Sequence, residues 1–562
     1  MMTKKVISFV LVMAIIMSTL LLSSCINNGE LSYYDENGEV NERIFYKNEL
    51  DHIGADPGCI YVSEGEGAGY FYLYATSDPI QNKGFIGWRS KDLNNWESIG
   101  VVYMPEEDSL CKTMLWAPEV IYNRNDDLYY LYYSARRDDY VMSKEGDIEY
   151  LTLCVAYSSS PEGPFKQWEG VNALGERLEA NDELINFQDH TGTDKHWCTI
   201  DVSPFFDKDG SLYLYFSNTD PTDSSKTGVW GMKMLDAVTP DYSTLKQLTR
   251  SGWSNMNEYD SFTVDGEGIN EAPFMLEHDG KYYLTYSTYG FTSPMYSVCL
   301  AVADDPLGDF VKTPTNPILG KESHFDHMTG TGHHCFVEAD DQLFAVYHAH
   351  TERGYVSQSV RSIAFDEAVF VYDEELGYDT LHVNGPTYSV QPLPSVFSGY
   401  ENCMSDAKIT VTNLKSGSKT LLSDGLVTIH SWELDKEIRV DKNTKITIEL
   451  KESRNATAVM IYNSAEISFA FDKIDSIIIY LDTSAIPKES PYYGSSVIKV
   501  NDIEFNKDYF MEDMFIRPGG AAICEFVAVP IKKIEIVISS KYLSNIDDSD
   551  IGISEIKILA EK

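Results

Sequence analysis

The sequence predicts an all-β chain, a five-bladed β-propeller followed by a β-sandwich. Three observations carry that prediction. One hairpin pattern recurs five times; no long amphipathic helix follows the apolar N-terminal stretch; and the composition changes after residue 395.

The repeats come first, because self-similarity at a fixed period sets the fold. Their copies are DPGCIYVSEGEGAGYFYLYATS from Asp56, APEVIYNRNDDLYYLYYS from Ala117, DVSPFFDKDGSLYLYFS from Asp201, EAPFMLEHDGKYYLTYS from Glu271 and HHCFVEADDQLFAVYHA from His333. In each, a short apolar strand leads through a polar turn (DDL, KDG, HDG or ADD) into an aromatic strand that closes on Ser or a similar small residue. Period-2 alternation around such a turn is a β-hairpin. A spacing of about sixty to eighty residues fits four-stranded blades with long loops. CVAYSSSPEGPFKQW from Cys154 and VCLAVADDPLGDFVKT from Val298 resemble one another at blade spacing and read as outer strands. The propeller is expected over residues 45–395. A Pro-rich passage, NGPTYSVQPLPS at 384–395, reads as a linker or as the last propeller loop. Beyond it aromatics thin out, and KITIEL, SIIIYL and KIEIVIS alternate like strands with one buried face. They predict a sandwich over residues 396–562.

The N-terminus has the form of a secretory signal over residues 1–24. Lys4 and Lys5 precede an apolar run at 6–22, and Ser23 and Ser24 lead into Cys25. This run resembles a bacterial lipobox, which implies acylation of Cys25, a tether over 25–44 and a lipid-anchored, extracytoplasmic protein. Buried acyl methylenes would hold it to the membrane. The formal charge of -43, from 87 acidic and 44 basic side chains, repels phosphate backbones and excludes nucleic acid as a partner. Eight cysteines remain beyond Cys25, far apart and without CxxC spacing. They read as buried small hydrophobes rather than a disulfide scaffold or a zinc site.

The chemistry lies where the repeats begin. Asp56, Asp201 and Glu271 stand at or near the start of an innermost strand, and a propeller gathers those starts at one mouth of its channel. Converging carboxylates repel one another and raise at least one pKa. Glycoside hydrolysis needs that asymmetry, one carboxyl protonated to donate and one ionised to activate water. A carboxylate before a strand is commonly a turn residue; three at matching places point to a site.

These motifs resemble glycoside hydrolase family 43, the arabinanases, arabinofuranosidases and β-xylosidases. The resemblance runs through ADPGCIY at Asp56, WAPE at 116–119, TIDVSPFFDKDG at Asp201, NEAPFMLEHDG at Glu271 and GTGHHCFV at His333. It implies Asp56 as general base, Glu271 as general acid and Asp201 as the residue that orients the acid and tunes its pKa. It implies a channel histidine at His333, with His334 as the alternative, near a bound cation, expected to be Ca2+. Pro204 is displaced from its usual place directly after the third-blade Asp. Glu119 is expected to accompany the WAP motif rather than to act in catalysis. Trp116 could pack on a pentose face or sit in the core; Arg361 could reach a sugar hydroxyl or lie on the surface. The inserts at 136–150 and 170–197 are candidates for closing the channel. LLSDGLVTIHSWELD, ATAVMIYNS and GISEIKILA in the C-terminal segment resemble a discoidin-type, galactose-binding-like module.

The resemblance implies inverting hydrolysis of α-L-arabinofuranosyl or β-D-xylosyl linkages in plant polysaccharides. The alternative of another class is a non-catalytic sugar-binding surface lipoprotein. A retaining fructan-cleaving propeller is disfavoured, because WMNDPN-like and RDP motifs are missing.

Overall fold

The computed structural model describes residues 44–76, 84–137, 151–178, 183–185, 198–219, 224–251, 268–321, 328–351, 359–504, 516–543 and 550–562. Cys25 and the signal lie outside the described residues, as does most of the two inserts. The chain divides into two compact units, Asn48–Pro386 and a second that joins residues 44–47 to Thr387–Lys562. This moves the boundary expected at 395 back to 386. Phe45–Tyr46, expected in the propeller, pairs instead with Gln391–Pro392, and Ile44, Phe45 and Val390 share a core cluster with Ile429 and Met460. Their apolar side chains are buried in the second unit.

The first unit is a five-bladed propeller. Blade 1 runs Ala55–Val62, Tyr70–Thr76, Phe85–Ser90, Glu97–Tyr103, antiparallel and in chain order from the innermost strand outward. The innermost strands of blades 2 to 5 are Cys111–Asn123, Cys198–Phe206, Glu271–His278 and Gly332–Ala339, each followed by its own hairpin partner. These five strands meet their neighbours in turn and close a ring. A parallel pair, Cys198 with Leu151, stitches blades 2 and 3 together.

The aromatic second strands explain why the blades stack. Their tyrosines bury the ring between blades and give the hydroxyl to the next blade. Tyr74 donates to the Pro161 carbonyl at 2.6 Å, Tyr132 to Ala237 at 2.7 Å, Tyr215 to Pro306 at 3.0 Å and Tyr283 to Asp379 at 2.5 Å. The ring closes where the chain enters blade 1. Gly54 N–H donates to the Arg361 carbonyl at 3.0 Å and Ile363 N–H to that of His52 at 2.9 Å, so the segment before Asp56 clips onto the third strand of blade 5.

The second unit is a β-sandwich. Thr444–Asn463 and Ala521–Ile538 pair along most of their length. Register breaks near Glu449 and Ala456 divide the first of these strands. One half pairs with Lys408–Val411 and the other with Ile551–Glu561, which is how one hydrogen-bonded set of strands turns a corner between layers. Its core is aliphatic, with Ile446, Ile448, Ile534, Ile536, Ile556 and Ile558 wholly buried. All eight described cysteines are free, and six are buried.

Candidate active site

Every innermost strand is interrupted by a β-bulge, with one register shift in blades 1, 3, 4 and 5 and three in blade 2. The bulged residues are Asp56, Ala117, Asp201, Ala272 and His333, all left-handed, with φ of 53°, 48°, 58°, 50° and 41°. That conformation is costly for residues with a Cβ and is held by its surroundings. Here the surroundings are a ring of hydrogen bonds, each bulge N–H reaching back to the preceding blade. Ala117 donates to Thr76 Oγ1 at 2.9 Å, Asp201 to Ser134 Oγ at 3.0 Å, His333 to Ser287 Oγ at 2.9 Å and Asp56 to His348 Nδ1 at 3.3 Å. The residue at this place near the end of the aromatic strand, Thr76, Ser134, Ser287 or His348, is thus the acceptor for the next bulge. Blade 3 breaks the rule. Ala272 N–H donates to the carboxylate of Asp201, Oδ2 at 3.1 Å, and the equivalent hydroxyl, Ser217 Oγ, is buried without a partner among the described residues.

This register corrects one expectation. Asp56 and Asp201 occupy the bulge, but Glu271 stands one residue earlier, at the position that Trp116 fills in blade 2. A step of one residue along a strand redirects the side chain, so the three carboxylates leave the backbone from two different positions. They still share one cavity of about 630 Å³, which Trp116, Arg361 and His333 also line. Glu119 lies two residues beyond its bulge, and its Oε2 would be 3.2 Å from a Cβ at Gly58. Burial pushes its carboxyl well above the ordinary range, and it does not line that cavity.

Asp56 sits at the ring's seam. Arg361, which begins the strand that clips the entering chain, donates to Asp56 Oδ1 at 2.7 Å. His333 Nδ1 lies 3.3 Å from the same oxygen. Burial alone would raise this carboxyl; Arg361 and then His333 outweigh it and hold the group well below the usual carboxylate range. Arg361, expected on a sugar hydroxyl or the surface, is therefore first of all the counter-charge of Asp56. Burial lowers His333 against the pull of Asp56, and it pushes His348 down to about 3.

Glu271 has the opposite surroundings. Its Oε1 accepts from Tyr296 at 2.8 Å. Burial, joined by the charge of Asp56, pushes its carboxyl up to about 7 despite Tyr296 and Arg361. Asp201 is raised well above its ordinary value by burial, then by the charges of Glu271 and Asp56. Asp201 and Glu271 titrate as a coupled pair.

The surroundings of His333 do not fit the expected calcium. A hard cation takes six to eight oxygens. The carboxylate oxygen beside His333 Nδ1 is already held by the Arg361 guanidinium, and His334 Nε2 is engaged by Thr285 Oγ1 at 2.6 Å. Among the described residues, the potential ligands that do converge are His278, Asp279 and Asp379. They lie at the far end of the fourth inner strand from Glu271, where His278 is bonded to Asp379 at 2.9 Å and stacked on Phe370.

Two site residues escaped the sequence, Tyr296 and His348. His348 had a signal: it fills the place of Thr76, Ser134 and Ser287 at the end of the aromatic strand. Tyr296, in SPMYS, has no counterpart in the other repeats.

A carboxyl held low and a carboxyl held high, facing one cavity of a five-bladed propeller, are the pairing that acid–base glycoside hydrolysis requires. Comparison of sequences agrees: residues 50–371 match the model of glycosyl hydrolases family 43. The chain belongs to this family and is a glycosidase. It is 26% identical over 305 residues to a β-D-galactofuranosidase of Aspergillus niger, spanning 52% of this chain and 72% of that one. It is 26% identical over 315 residues to an extracellular exo-α-(1→5)-L-arabinofuranosidase of Streptomyces chartreusis, spanning 54% and 82%. A solved thermostable family-43 glycoside hydrolase is 31% identical, with a TM-score of 0.46, over 62% of this chain and 99% of that one.

Proposed function

We propose that this glycosidase hydrolyses α-L-arabinofuranosyl or β-D-xylosyl linkages of plant-type polysaccharides with inversion. Asp56 is the general base, Glu271 the general acid and Asp201 the residue that tunes the acid. One observation carries the reading: two buried carboxyls in one cavity are driven in opposite directions, Asp56 down by Arg361 and Glu271 up by burial. Asp56 then takes a proton from water as the oxygen attacks the anomeric carbon. Glu271 gives its proton to the departing glycosidic oxygen. Inversion needs room for that water, with the carboxyls about 6.5–9.5 Å apart. In support, the two groups stand on different blades and bond to different partners, Arg361 and Tyr296. The relative names of galactofuranoside and arabinofuranoside hydrolases favour a furanoside among the pentosides to be tried first.

The protein is also proposed to act outside the cytoplasm, tethered through an acylated Cys25. The lipobox-like run supports this, as does the extracellular relative. Among the described residues no helix is long and apolar enough to cross a membrane. Cys25→Ala should release the protein from membranes with its specific activity intact; a variant that still sediments with them refutes the anchor.

The substrate test is a panel of nitrophenyl α-L-arabinofuranoside, β-D-xyloside and β-D-galactofuranoside with debranched arabinan. Turnover of either pentoside, lost in Asp56→Asn, is the expected result. Turnover of the galactofuranoside alone would overturn the pentose assignment.

A further inference from the structure

The mechanism above leaves a buried tyrosine unexplained. Tyr296 is wholly buried in the cavity wall, and its hydroxyl meets Glu271 Oε1 at 2.8 Å. Two further contacts fix the ring. One face is stacked on His348, with centroids 5.5 Å apart and planes 12° from parallel. The other constraint is Gly332, where a Cβ would lie 2.4 Å from Tyr296 Cδ1. Gly332 precedes its bulge, at the place of Ala55, Trp116, Ile200 and Glu271 in the other blades. Blade 5 therefore gives up a side chain where blade 4 carries its acid, and the ring of Tyr296 fills the space.

We propose that Tyr296 is a positioning residue for the general acid, donating its hydroxyl hydrogen to Glu271 Oε1 so that Oε2 carries the transferable proton. The proposal rests on the reading of Glu271 as the acid. Its argument is a count of hydrogens. The phenol keeps its proton, because burial and the charge of Glu271 push its pKa well up. Glu271 Oε1 is the acceptor its hydroxyl meets among the described residues. Were the carboxyl proton on Oε1 and aimed at the phenol, the phenolic hydrogen would be buried unpaired, which is unfavourable. Donation from Tyr296 satisfies both groups. During turnover the Oε2 proton moves to the glycosidic oxygen, the carbon–oxygen bond breaks, and Glu271 becomes a carboxylate. Tyr296 still donates to it and keeps its own hydrogen.

The charged and titratable groups acting on Glu271 are Tyr296, Asp56 and Arg361, and Glu271 in turn raises Asp201. Of these, Tyr296 favours the ionised form by hydrogen bonding to it. Tyr296→Phe removes that bond and keeps the ring, so the Glu271 pKa should rise further. The basic limb of the kcat/KM profile should then move to higher pH. On an oligosaccharide, kcat should fall roughly tenfold with KM within about twofold, because the interaction acts on proton transfer rather than binding. On a dinitrophenyl glycoside, whose leaving group needs little protonation, the loss should be under about threefold. Gly332→Ala, which keeps the hydroxyl but displaces the ring, should reproduce this pattern. Tyr215→Phe, which removes a buried tyrosine hydroxyl bonded to Pro306, serves as the control for lost stability and should leave the pH profile unchanged.

The deciding readout does not require turnover: the Glu271 carboxyl titration, followed by 13C NMR as the difference between wild type and Glu271→Gln. A midpoint that rises in Tyr296→Phe supports the assignment. An unchanged or lower midpoint, or equal kinetic losses on both substrates, overturns it. If wild type cleaves none of the glycosides, the functional reading fails, and the titration still decides whether Tyr296 holds Glu271.

Discussion

The seam where blade 5 meets blade 1 and the junction of blades 3 and 4 are built on the same plan, yet they set carboxyls to opposite tasks. Each has an innermost strand, a left-handed bulge and an N–H reaching back to the preceding blade. At the seam, the chain entering blade 1 is clipped beside Arg361, so Asp56 gains a guanidinium and stays ionised. At the other junction a carboxylate, Asp201, has taken over the serine's role as acceptor, so Glu271 gains an acidic neighbour and a tyrosine. Backbone geometry brings the carboxyls to one cavity; the neighbours decide which of them holds a proton.

The largest effect should come from removing either carboxyl. Asn tolerates the left-handed bulge, so Asp56→Asn should keep the fold and lose about 10²–10⁴ in kcat on every substrate. Glu271→Gln should lose as much on natural linkages and far less on dinitrophenyl glycosides. Kinetics on the two substrate types check this, and equal losses in both variants would dissolve the distinction between the two regions.

Asp201→Asn should come next. Asp201 and Glu271 oppose each other's ionisation, so with a neutral amide at 201 the Glu271 carboxyl should titrate lower. The basic limb should then move to lower pH, opposite in sign to Tyr296→Phe, with activity at neutral pH down by about 10². A pH–rate profile identical to wild type would remove Asp201 from the acid's control.

The smallest effect compares two serines at matching places. Ser134 accepts from the Asp201 N–H, so Ser134→Ala leaves a buried donor unpaired and should cost about 1–3 kcal/mol. Ser217, whose place Asp201 has taken, has no partner among the described residues, and Ser217→Ala should be nearly neutral. Denaturant unfolding of the two variants checks the pair; equal losses would mean that the substitution of carboxylate for hydroxyl at this junction has no energetic consequence.

Much of this plan was legible in the sequence. The hairpins, the aromatic strands and the closing small residue are short-range patterns, and they placed five blades and the three carboxylates. The one-residue offset of Glu271 was also written there. Pro57, Pro118 and Pro273 each directly follow a bulge, which aligns Ala272, rather than Glu271, with Asp56 and Ala117. Displacement of Pro204 in blade 3 hid that register. Arg361 was harder to place. Its partner is 305 positions away, and only closure of the ring brings them together. Tyr296 was illegible for a related reason: its ring depends on an absent side chain at Gly332, and nothing local to Tyr296 announces that space. The unit boundary was missed by nine residues because the Pro-rich passage reads as a linker or a last propeller loop, whereas Val390 within it packs in the sandwich core.

The central claim is that Asp56 activates water while Glu271 protonates the leaving group, with no covalent bond to the enzyme. The configuration of the first sugar released tests it most directly. Proton NMR of a nitrophenyl glycoside recorded within the first minutes of hydrolysis should show the inverted anomer before mutarotation. Release of the retained anomer would require a covalent glycosyl–enzyme intermediate and would contradict the account.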